Sequence, residues 1–453
     1  MSLMSLMSLI GLMSLISPAK LNKLIKLIKP IKLIKPINSL NLLNSLNSFP
    51  MVNVIGLGYI GLPTSLMLAA HGVEVIGTDY NAALVDKLQA GIITFSEEGL
   101  SELFNQAVEQ GIKFSHDYQV ADTYIVSVPT PYDRVSKQID AQYVTTAVTE
   151  VLNICPPEAD IIIESTISPN TIDRFVRPLI AASEKKVNLA HAPERIIPGN
   201  MIYELIHNNR TIGADTPEVA ERIKRLYSSF CQGEIVTTDI RIAEMTKVIE
   251  NTYRAVNIAF ANELQHICHH NGMDVNEIIR ICNMHPRVNI MSPGPGVGGH
   301  CIPVDPWFIV GDYPLHTPII TASLLGNAAQ PDYVLKRIYL IMKEKGMTDP
   351  SRVGLYGITY KENVDDYRES PTLQLLHAQR KHLAQPLKCY DPYLEGRNVT
   401  PSQVDNFEEF LNSVDFVVIM VKHDDIKQHW QDLEGKIVLD CQNICPLPNV
   451  YKL

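Results

Sequence analysis

The chain has 453 residues, of which 46% are hydrophobic and 19% charged, a composition typical of a soluble globular protein with two or three domains. Its eight cysteines are scattered without CxxC pairs or zinc-ligand spacing, which argues against a disulfide framework or a metal site and indicates a reducing, cytoplasmic compartment. The formal net charge is −10 and the first fifty residues carry six lysines and no acid, so the remainder carries −16 and is not expected to bind nucleic acid.

Residues 1–50 differ in composition from the rest of the chain. The stretches "MSLMSLMSLIGLMSLIS" and "KLIKLIKPIKLIKPI" repeat every three residues, a period that gives a helix no constant face. A signal peptide would place its positive residues before a longer apolar run, whereas here the lysines come afterwards. We interpret this segment as a low-complexity extension, disordered or mis-assigned, that is dispensable and does not anchor the chain in a membrane. The folded protein is expected to begin at Met51.

The segment "MVNVIGLGYIGLPTSLMLAAHGVEVIGTD", residues 51–79, predicts a strand, a tight turn, a helix and a second strand. Its turn contains G-x-G-x-x-G, formed by Gly56, Gly58 and Gly61. In this context the first glycine permits the turn, the second lets the backbone approach a pyrophosphate, and the third allows close helix–strand packing. Asp79 ends the second strand and would accept hydrogen bonds from ribose hydroxyls. The segment therefore predicts an NAD site.

Further strand-like segments follow at 122–131, 159–169 and 187–199, alternating with helical patterns. Such alternation indicates a parallel, doubly wound sheet, which binds ligands at the carboxyl ends of its strands. Polar residues at these predicted ends are site candidates, with turn formation or helix capping as the alternative role of each: Thr130, Glu164, Thr166 and Glu194. We assign residues 51–240 to this NAD-binding domain.

Residues 241–271 carry apolar side chains at helical spacing without an internal Pro or Gly, and Gly272 then ends the helix. A helix of this length predicts a spine between domains or a dimer interface. Lys247, Asn251 and Arg254 project from one face of it, either as a solvated polar stripe or as part of a site. We assign residues 241–345 to a central helical and dimerisation domain.

Strand-like segments resume at 352–371, 387–393, 414–425 and 435–444. They predict a second Rossmann-like domain over residues 346–453. The fold class expected is α/β, with two Rossmann-like doubly wound domains joined by a long central helix and a helical middle domain. Two α/β domains joined in this way leave a cleft between them.

The stretch "PGPGVGGHCIPVDPW", residues 293–307, surrounds Cys301 with glycines and prolines. Most free cysteines are small buried hydrophobes, but a rigid loop with little side-chain bulk would let a substrate reach this thiol. Beside an NAD site, a nucleophilic thiol allows an alcohol to be oxidised to an acid through a thiohemiacetal and a thioester that water hydrolyses. Asp305 is placed to order or deprotonate that water, and we assign the adjacent His300 a structural role.

Six motifs together resemble the UDP-glucose/GDP-mannose 6-dehydrogenase family: "GLGYIGLP", "ESTISP", "APERIIPG", "EMTKVIENTYRAVNIAFANE", "GPGVGGHCIPVDPW" and "YKENVDDYRESP". The resemblance extends from Met51 to the C-terminus. It implies oxidation of the C6 alcohol of a nucleotide sugar to a carboxylate, with two NAD and one water, for surface polysaccharides. Within the family, "HPRVNI" at 285–290 favours UDP-N-acetyl-D-mannosamine; the alternatives are UDP-N-acetylglucosamine, UDP-N-acetylgalactosamine, UDP-glucose and GDP-mannose.

The resemblance also implies residue roles. It implies that Cys301 is the catalytic nucleophile. The catalytic residues Lys247 and Asn251 would stabilise oxyanions or transfer protons. The catalytic residues Asp305, Thr166 and Glu194 would surround the water. Beyond the glycine loop, the implied NAD contacts are Tyr59, Ile60, Asp79, Thr130, Thr166 and Arg368. The implied nucleotide-sugar contacts are Arg195, Ile196, Lys247, Asn251, Arg254, His285, Arg287, Gly298 and Lys361. Among these, Arg254, Arg287 and Lys361 are expected to meet the diphosphate in the cleft.

Two other functions are compatible with parts of this pattern. A hydroxyacid or 6-phosphogluconate dehydrogenase has a similar two-domain build, but it transfers one hydride and needs no thiol. A catalytically silent NAD-dependent binding protein is the alternative from another class, and the joint presence of Cys301, Lys247, Asn251 and Asp305 argues against it.

Overall fold

The computed structural model describes residues 49–381 and 386–453. The prediction of a disordered, dispensable extension falls almost entirely on residues 1–48, which lie outside the described residues. Residues Phe49–Leu453 form one compact unit that contains two separate sheets.

The first sheet has eight strands in the order β3-β2-β1-β4-β5-β6-β7-β8. These are β1 (Val52–Ile55), β2 (Val75–Thr78), β3 (Lys113–Ser115), β4 (Thr123–Val126), β5 (Asp160–Ile163), β6 (Asn188–His191), β7 (Arg210–Ala214) and β8 (Ile235–Thr238). Strands β1 to β6 are parallel, in the order of a dinucleotide-binding domain. Strand β7 runs antiparallel to β6 and parallel to β8.

Helices cover both faces of this sheet. They are α1 (Gly61–Ala70), α2 (Ala82–Gln89), α3 (Leu100–Glu109), α4 (Gln142–Ile154), α5 (Arg177–Ser183), α6 (Met201–His207) and α7 (Pro217–Tyr227), with a π-helical turn at Ile172–Val176 before α5. Because side chains alternate along a strand, Val54 and Ile125 enter one apolar core, whereas Ile55 and Val126 enter the other. Burial of both faces explains why the strands read as short continuous apolar runs.

The middle of the chain is helical, with α8 (Ile240–His270), α9 (Val275–Cys282), α10 (Asp305–Asp312) and α11 (Pro318–Glu344). The side chain of Asp239 caps α8 by accepting from the N–H of Arg241 at 2.8 Å. Helix α11 packs along α8 through polar contacts, including Asn327 Nδ2 to the carbonyl of Ala255 at 2.8 Å. The C-terminal half of α11 then enters the core of the second sheet through Val334 and Ile338.

The second sheet is entirely parallel, in the order β10-β9-β11-β12-β13. Its strands are β9 (Val353–Tyr356), β10 (Lys388–Tyr390), β11 (Phe416–Ile419), β12 (Ile437–Asp440) and β13 (Tyr451–Lys452). Helices α12 (Pro371–Lys381) and α13 (Phe407–Ser413) accompany them, with short 3₁₀ turns at Pro350–Arg352, Asp425–Gln428 and Gln431–Leu433.

The predicted fold class is confirmed: two Rossmann-like sheets are connected through a long central helix. The structure adds β7 and β8, which the sequence analysis did not predict because "RTIGA" and "IVTT" are short and partly polar. It also restricts the predicted strand segment 187–199 to β6, since Pro193 and Pro198 lie in the loop that follows. The domain limits stated above stay predictions.

Candidate active site

The glycine-rich turn between β1 and α1 has three glycines with different surroundings. Gly56 has φ +91°, and a side chain there would overlap the carbonyl of Ser127. A side chain on Gly61 would overlap the carbonyl of Gly56, so this glycine allows the close approach of the helix to the turn. A Cβ on Gly58 would meet no atom within 4 Å. Packing therefore requires Gly56 and Gly61, whereas Gly58 faces the open space that a pyrophosphate needs.

The acidic residue at the end of β2 is held against this turn. Asp79 is buried, and its carboxylate accepts from the N–H of Leu57 at 2.8 Å and from the N–H of Asn81 at 2.9 Å. A carboxylate has about four acceptor positions, so these two bonds leave capacity for ribose hydroxyls. The open space at Gly58 and this oriented acid fit the adenosine half of NAD.

Other predicted NAD contacts lie around the same turn. Tyr59 lies between the ring of Phe95, at a centroid distance of 4.4 Å, and the guanidinium of Arg368, at 4.6 Å. Thr130 donates its hydroxyl to the carbonyl of Thr166 at 2.7 Å, which joins the ends of β4 and β5. Arg368 belongs to the second α/β domain, so that domain reaches the dinucleotide turn.

The catalytic candidates meet between α8 and α10. Lys247 and Asn251 lie one turn apart on α8 and are buried, and Asn251 Nδ2 donates to Asp305 Oδ2 at 2.7 Å. Asp305 is the first residue of α10, and its backbone N–H donates to the carbonyl of Cys301 at 2.8 Å. The structure thus brings together a thiol, an ammonium, an amide and a carboxylate.

The electrostatics of this cluster are dominated by burial. Burial and the negative charge of Asp305 raise the pKa of the Cys301 thiol to about 11, while Lys247 and Arg254 act in the opposite direction. Burial also raises the pKa of Asp305 to about 6, against the lowering effects of Lys247 and of the hydrogen bond from Asn251. The carboxyl group is therefore mainly ionised at neutral pH, and the thiol is protonated.

The glycines before Cys301 have a role that the sequence analysis did not anticipate. A side chain on Gly298 would overlap the carbonyl of Glu369 and the Cβ of Tyr360, and one on Gly299 would overlap the Tyr360 ring. The N–H of Gly299 donates to the carbonyl of Arg368 at 2.9 Å. Their small size allows the loop to pack against the second α/β domain, and the predicted access of substrate to the thiol stays a prediction.

The predicted substrate residues lie in several elements of the fold. Arg254 is close enough to lower the pKa of Cys301, and Lys361 Nζ donates to the carbonyl of Pro198 at 2.9 Å, bridging the two α/β domains. His285 and Arg287 are exposed in the connection after α9, where the Arg287 N–H contacts His285 Nδ1 at 3.3 Å. The expected convergence of Arg254, Arg287 and Lys361 on the diphosphate stays a prediction.

The loop after β6 carries three further candidates. Ile196 is buried, and the guanidinium of Arg195 is engaged by Glu250, with a distance of 2.8 Å between Arg195 Nη2 and Glu250 Oε1. The carboxylate of Glu194 pairs with Arg210 in a second buried cluster. Its predicted catalytic role stays a prediction.

Sequence reasoning missed several residues of this region. Tyr360 packs on the glycines of the Cys301 loop, and Asp366 contributes to the raised pKa of Cys301. Both residues belong to the motif "YKENVDDYRESP", which carries part of the family resemblance. Glu244 is fully buried on α8, one turn before Lys247, and accepts from the backbone N–H groups of Asn170 and Ile172 at 2.7 and 3.0 Å. Its spacing of three and seven residues from Lys247 and Asn251, which puts it on the same helix face, was the available signal for this last residue.

The dinucleotide turn, the cluster around the Cys301 thiol and the second Rossmann-like domain define a dehydrogenase that uses a nicotinamide cofactor. Models of the UDP-glucose/GDP-mannose dehydrogenase family match three parts of the chain: its NAD binding domain at residues 51–231, its central domain at 241–328 and its UDP binding domain at 354–446. The chain belongs to the UDP-glucose/GDP-mannose dehydrogenase family. It is an NAD-dependent UDP-sugar dehydrogenase, which confirms the predicted family, enzyme class and cofactor.

Curated relatives and solved structures agree with this assignment. A UDP-N-acetyl-D-mannosamine dehydrogenase of Methanococcus maripaludis is 40% identical over 405 residues, covering 87% of this chain and 92% of the relative. An NDP-N-acetyl-D-galactosaminuronic acid dehydrogenase of Ralstonia nicotianae is 36% identical, covering 87% and 96%. The structure of a UDP-N-acetyl-mannosamine dehydrogenase from Staphylococcus aureus is 38% identical with a TM-score of 0.79, covering 89% of this chain and 98% of that one.

Within residues 49–381 and 386–453, no helix combines the length and the apolar character that crossing a bilayer requires.

The UDP binding domain indicates that the substrate is a UDP-sugar, as the sequence predicted. The homologues support oxidation of a nucleotide sugar at C6.

Proposed function

We propose that this enzyme oxidises UDP-N-acetyl-D-mannosamine at C6 to UDP-N-acetyl-D-mannosaminuronate, with two NAD and one water, for surface polysaccharide biosynthesis. The observation that carries the chemistry is the cluster formed by the half-buried Cys301 with the buried Lys247, Asn251 and Asp305. The names of relatives at about 40% identity support the choice of sugar.

The first oxidation converts the C6 alcohol to an aldehyde. When bound, NAD accepts a hydride from C6, once in each of the two oxidations. The Lys247 ammonium and the Asn251 amide stabilise negative charge that develops on the C6 oxygen, because both are buried one helical turn apart. The hydroxyl proton leaves through this pair or through a water beside it.

The second oxidation requires the Cys301 thiol. The S–H adds across the aldehyde C=O: the sulfur bonds to C6 and the proton passes to the oxygen, giving a thiohemiacetal. Loss of the C6 hydride and of that hydroxyl proton leaves a thioester on Cys301. Lys247 and Arg254 favour this addition, because their charges oppose the increase in the thiol pKa that burial causes.

Hydrolysis releases the product. Water adds to the thioester carbon, the C–S bond breaks, and the carboxylate leaves while Cys301 regains its proton. Asp305 orients this water or accepts its proton, since its carboxyl group is ionised above pH of about 6 and is held by Asn251. We propose Thr166 and Glu194 as further residues around the water.

The nucleotide sugar is proposed to lie between the two α/β domains. Arg254 and Lys361 supply positive charge on the two sides of this cleft, and Lys361 already contacts the loop that carries Ile196. The remaining proposed sugar-nucleotide contacts are Arg195, His285, Arg287 and Gly298, besides Lys247 and Asn251. The acidic charge of the protein as a whole makes these local cations necessary for a diphosphate.

The decisive experiment for the cysteine chemistry is to count NADH. Wild-type enzyme should release two NADH per sugar, and Cys301→Ser should form no acid. Cys282→Ser is the matched control, because Cys282 lies on α9 away from the catalytic cluster and should behave as wild type. Release of one NADH per sugar by the wild type, or acid formation without an acyl adduct on Cys301 in quenched samples, would contradict the scheme.

The substrate is tested separately with a panel of five nucleotide sugars. UDP-N-acetyl-D-mannosamine should be preferred over UDP-N-acetylglucosamine, UDP-N-acetylgalactosamine, UDP-glucose and GDP-mannose by at least about tenfold in kcat/KM, equivalent to ~1.4 kcal/mol. A clear preference for another sugar would overturn this choice of substrate and leave the cysteine chemistry unaffected.

We also propose a cytoplasmic homodimer. All eight cysteines are free, which is typical of a reducing compartment. Five large apolar side chains of α8 are exposed, at spacings that place them on one face: Ile242, Ile249, Tyr253, Phe260 and Ile267. This stripe extends over about 37 Å at 1.5 Å per residue. A second copy of the helix is the proposed partner for it.

A further inference from the structure

A buried ion cluster lies next to the active site, at the junction of β5, β6 and β7. Arg210 opens β7 and is 3% exposed; its Nη2 bonds to Glu194 Oε2 and its Nη1 lies 3.7 Å from Glu164 Oε1. The antiparallel pairing of His191 with Gly213, continued by three residues, brings Glu194 opposite Arg210. Backbone register therefore creates this ion pair.

The neighbouring arginine makes the reciprocal contacts. Arg195 donates to the carbonyl of Asn209 and to the hydroxyl of Thr211, each at 2.8 Å, and these two residues flank Arg210. It also pairs with Glu250, which lies between Lys247 and Asn251 on α8. We call these contacts of Arg210 and Arg195 the arginine clasp. The clasp joins the loop after β6 both to β7 and to the helix that carries the catalytic ammonium and amide.

The loop of residues 192–199 is held along its backbone as well. The N–H of Arg195 donates to Glu194 Oε1 at 2.6 Å, and the N–H of Ile197 donates to Glu204 Oε2 at 2.9 Å. The N–H of Gly199 donates to Glu97 Oε2 at 2.8 Å. Carboxylates thus bind alternate loop amides, and Lys361 donates to the carbonyl of Pro198 in the same loop.

Charge explains why an arginine is required at position 210. Two buried carboxylates, Glu164 and Glu194, face one cation, and a buried carboxylate without a partner is strongly destabilising. Burial raises the pKa of Glu164 to about 7, although the charge of Arg210 acts in the opposite direction, so Glu164 is partly protonated at neutral pH. Arg210 pairs with Glu194. The guanidinium also stacks over Tyr227 at 4.3 Å, which only a planar cation does well.

We propose that Arg210 is a positioning residue for the oxidation of the nucleotide sugar: it holds Glu194 and thereby fixes the 192–199 loop between Lys361 and α8. This proposal rests on the proposed function, since the loop would carry substrate contacts. Arg210 is buried and its guanidinium is occupied by Glu194 and Tyr227, so we expect it to contact neither substrate nor NAD. Its effect passes through Glu194 and through the clasp to Glu250.

The test is Arg210→Lys in the full-length enzyme. Lysine keeps the charge but cannot contact two carboxylates with a planar fork. We expect kcat/KM for the nucleotide sugar to fall at least about tenfold, because small misplacements of positioning groups cost up to ~10² in rate. The KM for NAD should change less than about twofold, and the amides of Arg195 and Ile197 should exchange hydrogen faster.

Arg222→Lys is the matched control. Arg222 pairs with Asp160 at the opposite end of β5, with 2.7 Å between Arg222 Nε and Asp160 Oδ2. The same substitution there perturbs the same strand away from the loop. It should leave the KM for the sugar and the exchange of the loop amides unchanged.

A second variant keeps the proposal testable if Arg210→Lys does not fold. Glu250→Gln alters the half-exposed end of the clasp, and we expect about a threefold rise in the KM for the sugar with faster exchange at Arg195. Unchanged loop exchange in either folded variant, or equal rises in the KM for NAD and for the sugar, would show that Arg210 only stabilises the fold. Hydrogen exchange needs no turnover, so this result is independent of failure of the wild type to oxidise UDP-sugars.

Discussion

Two opposing sets of charges act on the Cys301 sulfur. Burial and Asp305 raise the pKa of the thiol, whereas Lys247 and Arg254 lower it, and the balance leaves its pKa at about 11. A protonated thiol is the less reactive form towards oxidants and alkylating agents. It also carries the proton that the aldehyde oxygen needs when the sulfur adds to C6, so the resting protonation state agrees with the proposed second step.

Asp305 gives a pH prediction. Its folded-state pKa of about 6 lies above its ordinary value, so the carboxyl group gains a proton as pH falls through about 6. If the ionised form orients the hydrolytic water, kcat should rise with pH along a limb centred near 6. Asp305→Asn should lower kcat by about 10²–10³ and remove that limb. A limb with the same midpoint in the variant would assign it to another group.

The raised pKa of Asp305 also affects the free energy of unfolding, which should fall as pH rises, whereas kcat should increase. The native state binds more protons than the unfolded state between the ordinary pKa of an aspartic acid and about 6, so the stability contribution of Asp305 is lost as pH rises through that window. Glu244, whose pKa burial raises to about 7, acts in the same direction over a higher range. Activity and stability are therefore expected to favour different pH values in this enzyme.

At the scale of single elements, the turn between β1 and α1 separates two roles of glycine. Gly56 and Gly61 are required because a side chain would overlap backbone carbonyls, whereas Gly58 has free space around it. Two glycines of the G-x-G-x-x-G pattern are thus required for packing, and the third allows a ligand to approach the backbone. The folded turn reveals the difference, because the carbonyl of Ser127 excludes a side chain at Gly56 and the carbonyl of Gly56 excludes one at Gly61.

This difference predicts opposite outcomes for two alanine variants. Gly61→Ala should lower the free energy of unfolding by about 1–3 kcal/mol, as overpacking does, and this is measurable by denaturant titration. Gly58→Ala should leave the stability within ~0.5 kcal/mol but weaken NAD binding at least about tenfold in a fluorescence titration. Equal destabilisation of both variants with unchanged NAD affinity of Gly58→Ala would contradict the assignment.

At the scale of the whole molecule, contacts between the two α/β domains converge on the catalytic loop. Arg368 stacks on Tyr59 of the NAD-binding domain while its carbonyl accepts from Gly299 in the Cys301 loop. The adjacent Glu369 pairs with Arg134 of the NAD-binding domain at 2.8 Å. The glycine-rich turn, the Cys301 loop and the second α/β domain are therefore connected to one another through Arg368 and Glu369.

The apolar stripe of α8 gives a prediction about assembly. Phe260→Glu places a charge at the centre of the proposed dimer contact and should shift the protein from dimer to monomer in sedimentation experiments. Val120→Glu, at an apolar side chain outside α8 that is more exposed than Phe260, is the control and should leave the assembly unchanged. A wild-type protein that is monomeric at micromolar concentration would refute the homodimer.

The N-terminal extension gives a prediction about the minimal enzyme. Residues Phe49–Leu453 form a compact unit, and the family models match only from residue 51 onwards. Deletion of residues 1–48 should leave kcat/KM within about twofold and the melting temperature within about 2 °C, because about 1 kcal/mol corresponds to 2–4 °C in a chain of this kind. A larger loss of either quantity would give the extension a role in the folded enzyme.

The sequence by itself determined the β1–turn–α1–β2 unit, the long α8 helix and the composition of the thiol loop. These are local features: a buried strand, a glycine turn and a helical period are each visible within about thirty residues, where chain sterics and hydrophobic patterning act. The same locality explains why Lys247 and Asn251 could be placed on one helical face. Recognition of the motifs then supplied roles for residues whose spacing carries no chemistry alone.

Only the tertiary structure decided which distant groups meet. The reversed strand β7 brings Arg210 to Glu194, and the second domain brings Tyr360 onto the glycines beside Cys301, contacts between residues far apart in the chain. The same applies to protonation: the pKa values of Cys301 and Asp305 depend on burial by elements that converge only in the folded protein. Long-range packing sets the dielectric environment and charge partners of a side chain, and neither quantity is encoded in its immediate neighbours.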